Sequence, residues 1–145
     1  ILFTMKHIPN MVEKTLRFPG HAKLISKELN SGKIIPGDKS NLQRLFKIWK
    51  LLPGELEFTI LEVIIETEIK THNYFLFDET NLKENASSMA RTTGYTASAT
   101  IDILDQNMFV EKGVFPPELV GSKSIVIEYL MNYLEARGII LKKII

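Results

Sequence analysis

Apolar and polar positions alternate most clearly between Glu57 and Ile69. Leu61, Val63, Ile65, Thr67 and Ile69 fall on one side and Glu62, Glu66 and Glu68 on the other. A period of two is the signature of a half-buried strand, so this segment predicts a strand with one packed face. Ile60 and Ile64 interrupt the acidic side and offer a surface for a second copy. Lys70-Thr71-His72-Asn73 reads as a hairpin loop with His72 exposed at its tip. Tyr74 to Phe77 reads as the return strand and Asp78 to Lys83 as polar loop.

Elsewhere the period is helical. Leu24, Ile25 and Leu29 mark a helix from about His21 to Asn30, and Gly32 is a stop. Leu42, Leu45, Phe46 and Trp49 mark a second helix over Asn41 to Leu51, with Ser40 as its cap. A third helix runs from about Ser87 to Asn107, with Ala90, Thr93, Ala97, Ile101 and Leu104 as its stripe. A fourth, capped by Ser122 or Ser124, runs towards Arg137 with Ile127, Leu130, Met131 and Leu134 inward, and Gly138 ends it. Met11 to Phe18 reads as a short strand ended by Pro19-Gly20. Gly113 to Gly121 reads as loop, and Ile139 to Ile145 as a last strand broken by Lys142 and Lys143. The fold class expected is α+β: a mixed, largely antiparallel sheet with helices packed mainly on one face.

Composition narrows the function classes. At 145 residues the chain is expected to form one domain over residues 1–145. A net charge of +1 gives no electrostatic reason to expect nucleic acid or an anionic membrane surface. No apolar run reaches the roughly 18–20 residues of a membrane span. The chain has no cysteine, so it holds no disulfide and no thiolate metal site, which fits a cytoplasmic protein. The three histidines are too scattered for a metal centre. No G-x-G-x-x-G follows a strand, so no dinucleotide fingerprint is present.

Two polar clusters remain. In Thr15-Leu16-Arg17-Phe18-Pro19-Gly20-His21, an arginine precedes a turn and a histidine opens a helix. A guanidinium grips a carboxylate with paired hydrogen bonds, and a helix start favours anions and a neutral imidazole. In Ser88-Met89-Ala90-Arg91-Thr92-Thr93-Gly94-Tyr95, an arginine sits in the first helical turn, where the helix dipole opposes it. Binding a carboxylate explains that placement. So does an ion pair reaching back to Glu84 or Asp78.

Both strings resemble the C-terminal domain of the saccharopine dehydrogenase family, which carries T-L-R-[YF]-P-G-H and M-A-R-T-x-G segments in this order. Lys112-Gly113-Val114-Phe115-Pro116-Pro117-Glu118 is similar to the family's K-G-V-x-x-P-E segment. The resemblance implies an oxidoreductase acting on C–N bonds in lysine metabolism. NAD or NADP would be held mainly by a nucleotide-binding domain outside this chain, which begins at Ile1 as an excised C-terminal piece would. The domain itself would line the substrate cleft and support a homodimer. It implies Arg17, Gly20, Arg91, Thr92, Thr93 and Gly94 as contacts to an amino-acid substrate bearing carboxylates, with His21 as orienting or proton-relaying group. Both arginines are then expected on one cleft. Lysine ε-dehydrogenase and carboxynorspermidine dehydrogenase are alternatives within the class. A non-catalytic oligomerisation domain is the alternative outside it.

Overall fold

In a computed structural model, residues 3–144 of the chain are described. They divide into two compact units, one of residues His7–Glu55 and one of residues 56–144 together with 3–6.

The smaller unit holds helices α1, His21–Asn30, and α2, Lys39–Trp49. The α1 boundaries match the pattern reading. Phe18-Pro19-Gly20-His21 forms the turn before it. The His21 N–H donates to the Phe18 carbonyl at 3.1 Å, and Gly20 sits at φ 88°, ψ −17°. This is type II geometry, in which proline pre-sets one position and only glycine enters the next without strain. α2 begins two residues earlier than its apolar stripe suggests. Asp38, not Ser40, is the cap, accepting the Ser40 N–H at 2.7 Å and the Ser40 hydroxyl at 2.7 Å. A carboxylate carries more negative charge to the helix start than a hydroxyl does.

The strand expected over Met11 to Phe18 does not form. These residues are exposed and without regular structure. Their unit contains two helices and no strand, so nothing offers the ladder hydrogen bonds a strand needs.

The larger unit is built on an antiparallel sheet in the order β1-β2-β3, formed by Phe58–Glu66, Thr71–Glu79 and Leu141–Ile144. The hairpin turns earlier than its loop-like residues suggest, at Thr67 to Lys70. Thr67 accepts the Lys70 N–H on Oγ1 at 3.0 Å and donates its own N–H to the Lys70 carbonyl at 2.9 Å. His72 and Asn73 therefore lie in the return strand, and His72 is half-buried instead of solvated at a tip. Asp78 likewise belongs to the strand and is buried.

Helix α3, Ser88–Asp105, packs on α5, Ser124–Glu135, and on the sheet. Between them the single turn α4, Pro117–Val120, occupies what reads as loop. Proline at the first helical position favours such a turn. Lys123 stands at the cap position of α5, and neither Ser122 nor Ser124 caps it. Gly138, at φ 77°, ends the segment with Ile139 N–H donating to Leu134 O at 3.0 Å.

The core lies in this unit: Ile103, Phe109 and Val126 cluster, with Met108, Val120 and Tyr129 against them. The buried face of α3 is Ser88, Arg91, Ala99 and Ile103, not the expected stripe. Ala90, Thr93, Ala97, Ile101 and Leu104 are all exposed. On α5, Val126 is the buried residue and Ile127 is exposed. Among the described residues no helix is long and apolar enough to cross a membrane.

Candidate functional site

The start of α3 organises the larger unit's polar chemistry. Ser87 accepts the Ala90 N–H at 3.1 Å, and the Glu57 carboxylate accepts the Met89 N–H at 3.1 Å. Two of the orphan donors of the helix start are thus already satisfied by the chain's own oxygens. Before the helix, Asn81 Oδ1 accepts the N–H groups of Lys83 and Glu84 at 3.0 and 3.2 Å. That local turn presents Glu84 to the first turn of α3.

Arg91 points inward and is 6% exposed. Its Nε donates to both Asp78 oxygens at 3.3 Å, and Nη2 donates to Asp78 Oδ1 at 3.3 Å and to the Arg137 carbonyl at 3.0 Å. Nη1 donates to Glu84 Oε2 at 3.0 Å. Both acids that the sequence offers as local partners are therefore its partners. Burial works against the charge, but the hydrogen bond and charge of Asp78, with Glu84 and Tyr95 behind them, outweigh it and raise the pKa further. A guanidinium carries five N–H donors, so one Nη1 hydrogen remains for an outside acceptor.

Sequence reasoning did not single out Arg137, Tyr95 and Tyr133. The Arg137 guanidinium lies 3.4 Å from the Tyr133 ring centre and 5.5 Å from that of Tyr95, and Nη1 donates to the Tyr133 carbonyl at 2.9 Å. Arg91 approaches the same Tyr95 ring at 5.8 Å, and the Tyr95 hydroxyl donates to Glu84 at 3.2 Å. Two cations around one ring, balanced by Asp78 and Glu84, make a neutral cluster. The only available signal was helical spacing: Tyr133 and Arg137 sit four apart, as do Arg91 and Tyr95.

Beside this cluster lies a cavity of about 470 Å³, lined by Leu61, Leu76, Thr92, Thr93, Thr96 and Leu134 among others. Thr92 directly follows Arg91, and Thr59, which also lines it, is the register partner of Asp78. Thr92 Oγ1 donates to the Ser88 carbonyl at 2.9 Å and Thr96 Oγ1 to the Thr92 carbonyl at 2.7 Å, so toward a guest these two can only accept. The Thr93 hydroxyl has no partner among the described residues and can also donate. Gly94 is exposed in the same turn, with open space where a Cβ would stand. A volume of this size suits a small molecule with an aliphatic body and a few polar contacts.

Arg17, Gly20 and His21 belong to the smaller unit. Arg17 is exposed and forms no ion pair among the described residues. His21 is half-buried, its ring 5.6 Å from that of Trp49. No side chain caps α1: its first N–H, that of His21, donates to the Phe18 carbonyl, and those of Ala22 and Lys23 have no partner among the described residues. The turn places His21 at that helix start, and Arg17 lies one residue before the turn.

A family model described as "Saccharopine dehydrogenase C-terminal domain" matches residues 2–139.

Proposed function

The chain belongs to the saccharopine dehydrogenase C-terminal domain family, and from that premise we propose that it forms the substrate side of an oxidoreductase acting on C–N bonds in lysine metabolism. The observation that carries this reading is the start of α1, which no side chain caps, opened by His21 after a type II turn with Arg17 next to that turn in the chain. The Ala22 and Lys23 N–H groups, a helix dipole and a guanidinium without an ion pair among the described residues are complementary to a carboxylate. The substrate class it fits is an amino acid carrying carboxylates: saccharopine first, with lysine and a carboxylated polyamine as alternatives.

In this reading, within the smaller unit, Arg17 binds a substrate carboxylate, Gly20 permits the turn, and His21, beside Trp49, orients the substrate or relays a proton. Within the larger unit, taken by itself, Thr92 and Thr93 line a cavity that offers substrate contacts, with Gly94 leaving access. Arg91 is largely committed to Asp78 and Glu84, so its part is chiefly to position these threonines, with one hydrogen left for a ligand.

The described sheet is antiparallel throughout, and the sequence carries no G-x-G-x-x-G. These residues do not fit a dinucleotide, and no step is assigned to one here. When bound elsewhere in the enzyme, NAD or NADP supplies and accepts the hydride. The contribution of this chain is binding and orientation. The enzyme is proposed to work as a homodimer in the cytoplasm.

The test is an NMR titration of the chain with L-saccharopine, L-lysine and carboxynorspermidine in turn. Saccharopine is expected to shift the amides of Gly20, His21 and Thr93, and Arg17→Ala to weaken that binding about tenfold, the worth of one charged hydrogen bond. Shifts at neither group with any of the three overturn the reading.

A further inference from the structure

Two arginines flank the Tyr95 ring in the larger unit, and their charges are balanced unevenly. Nε and Nη2 form one edge of the Arg91 guanidinium, and that edge holds the Asp78 carboxylate at 3.3 Å. Glu84 takes Nη1 of the same side chain. Arg137 meets neither acid and forms no ion pair among the described residues. Its Nη1 donates to the Tyr133 carbonyl at 2.9 Å. Nε and Nη2, the same edge that grips Asp78 in Arg91, have no partner among the described residues.

That edge is held in a set plane. The Arg137 guanidinium lies 3.4 Å from the centre of the Tyr133 ring, and the residue is half-buried. Its carbonyl accepts Arg91 Nη2 at 3.0 Å, which ties its backbone to the neighbouring ion pair. Little side-chain entropy is then left to lose when an anion arrives. A cation just past α5 also suits the negative end of that helix, and a bond to a last-turn carbonyl is an ordinary role there. Such a role needs one charge and one donor, which a lysine supplies. It uses neither the plane nor the second edge. Two parallel N–H donors on a flat, pre-set fork match the two oxygens of a carboxylate.

We propose that the Nε–Nη2 edge of Arg137 is a carboxylate subsite of the larger unit, for one acid group of a small aliphatic acid. Leu134 and Ile139, on either side of Arg137 in the chain, line the cavity described above, as does Thr96 beside Tyr95. These neighbours suit an aliphatic body. A phosphate offers the same pair of oxygens, but with up to two negative charges on one group. Asp78 and Glu84 already neutralise the cluster, so a single added charge meets less repulsion than two. The proposal deepens the substrate reading above and rests on it for the identity of the acid, an amino acid carrying carboxylates. The subsite itself rests on the Arg137 geometry alone.

Titration of the 145-residue chain with glutarate, a dicarboxylate without an amine, and separately with inorganic phosphate tests it, read by NMR at the arginine Nε–H groups. Glutarate is expected to shift the Arg137 Nε–H saturably and to leave that of Arg91, held by Asp78, nearly unmoved. Phosphate is expected to bind several-fold more weakly. Arg137→Lys keeps the charge at the helix end and loses the fork. It is expected to leave the Arg91 Nε–H signal in place, which shows the fold intact, and to weaken glutarate about tenfold at the Tyr95 amide, the worth of one charged hydrogen bond. No saturable shift at Arg137 overturns the subsite. So does an Arg137→Lys variant that binds glutarate as tightly as the parent chain, which leaves only the helix-end role. Phosphate binding as tightly as glutarate overturns the carboxylate assignment. Glutarate bound at Arg137, with no response of Gly20, His21 and Thr93 to saccharopine, overturns the substrate reading and leaves the subsite standing.

Discussion

Arg91 is legible as important in the sequence, and only the fold names the acids it meets. Its position in the first turn of a helix, against the dipole, demands a compensating anion, and the sequence offers a substrate carboxylate or a nearby acid. The fold supplies two acids, Asp78 at 3.3 Å and Glu84 at 3.0 Å, with Asp78 buried and Glu84 half exposed. The two should behave differently. Removing Asp78 strands a buried cation, and Asp78→Ala is expected to destabilise the larger unit by about 3 kcal/mol, the lower end for a broken buried pair because Glu84 remains. Glu84→Gln, at a partner open to water, should cost under about 1 kcal/mol. Urea unfolding separates the two, and equal costs would show that burial does not govern the pair. Asp38 carries a prediction of a different kind. The hydroxyl and N–H of Ser40 hold its carboxyl below the usual carboxylate value against a small opposing effect of burial. A depressed folded-state pKa means the cap stabilises α2 above the ordinary aspartate range and is lost as pH falls through the folded value. NMR titration should find the Asp38 midpoint below 3.8 and α2 helicity falling with it. A midpoint at or above 3.8 would remove the cap from the account.

At the scale of elements, boundaries fixed by strong local chemistry were readable and faces were not. His21–Asn30 follows from a Pro-Gly turn in front and a glycine behind. The start of α3 follows from Ser87. The hairpin was misread by three residues because His72 and Asn73 look like loop residues, while the turn is closed by a threonine hydroxyl that no apolar pattern records. The face of α3 was misread because Ala90, Thr93, Gly94 and Ala97 are small and discriminate weakly between sides. The rotation of the helix is set instead by Arg91 reaching Asp78 on β2, a long-range pairing that periodicity does not contain. The same limit hid Arg137 and its two tyrosines. Ser87→Ala should therefore lower stability by about 1 kcal/mol, an ordinary cap loss, with the cost shared by the Glu84 loop that the helix start anchors. Gly20→Ala has open space around it but must adopt φ 88°. It should cost about 1 kcal/mol or more through backbone strain alone, confined to the smaller unit. Thermal unfolding of the two variants checks both figures. A neutral Gly20→Ala would mean the turn is not type II in solution.

The two units of the whole molecule are unequal in what holds them. Every fully buried apolar side chain among the described residues, from Leu76 to Ile139, belongs to the larger unit. Neither α1 nor α2 buries a residue. Leu42, Phe46 and Trp49, the stripe that should anchor α2, remain about half exposed or more. What ties the smaller unit is mostly solvent-facing: Glu28 to Arg44 at 3.3 Å and to Lys33 at 3.6 Å, and the His21–Trp49 contact. Exposed ion pairs contribute little. Helices of 10 and 11 residues are below the length that holds alone in water, roughly 12–15. Local opening should then cost far less in residues 7–55 than in the larger unit. Hydrogen exchange is expected to run at least about 100-fold faster at the amides of α1 and α2 than at those of α3 and β2, with the first proteolytic cuts in the smaller unit. The candidate residues Arg17 and His21 sit in this weakly held unit, so a ligand that engages them must also order them. Binding should therefore slow exchange across α1 well beyond the contacted amides. Protection in α1 equal to that in α3 before any ligand is added would show that something other than buried apolar area stabilises the smaller unit.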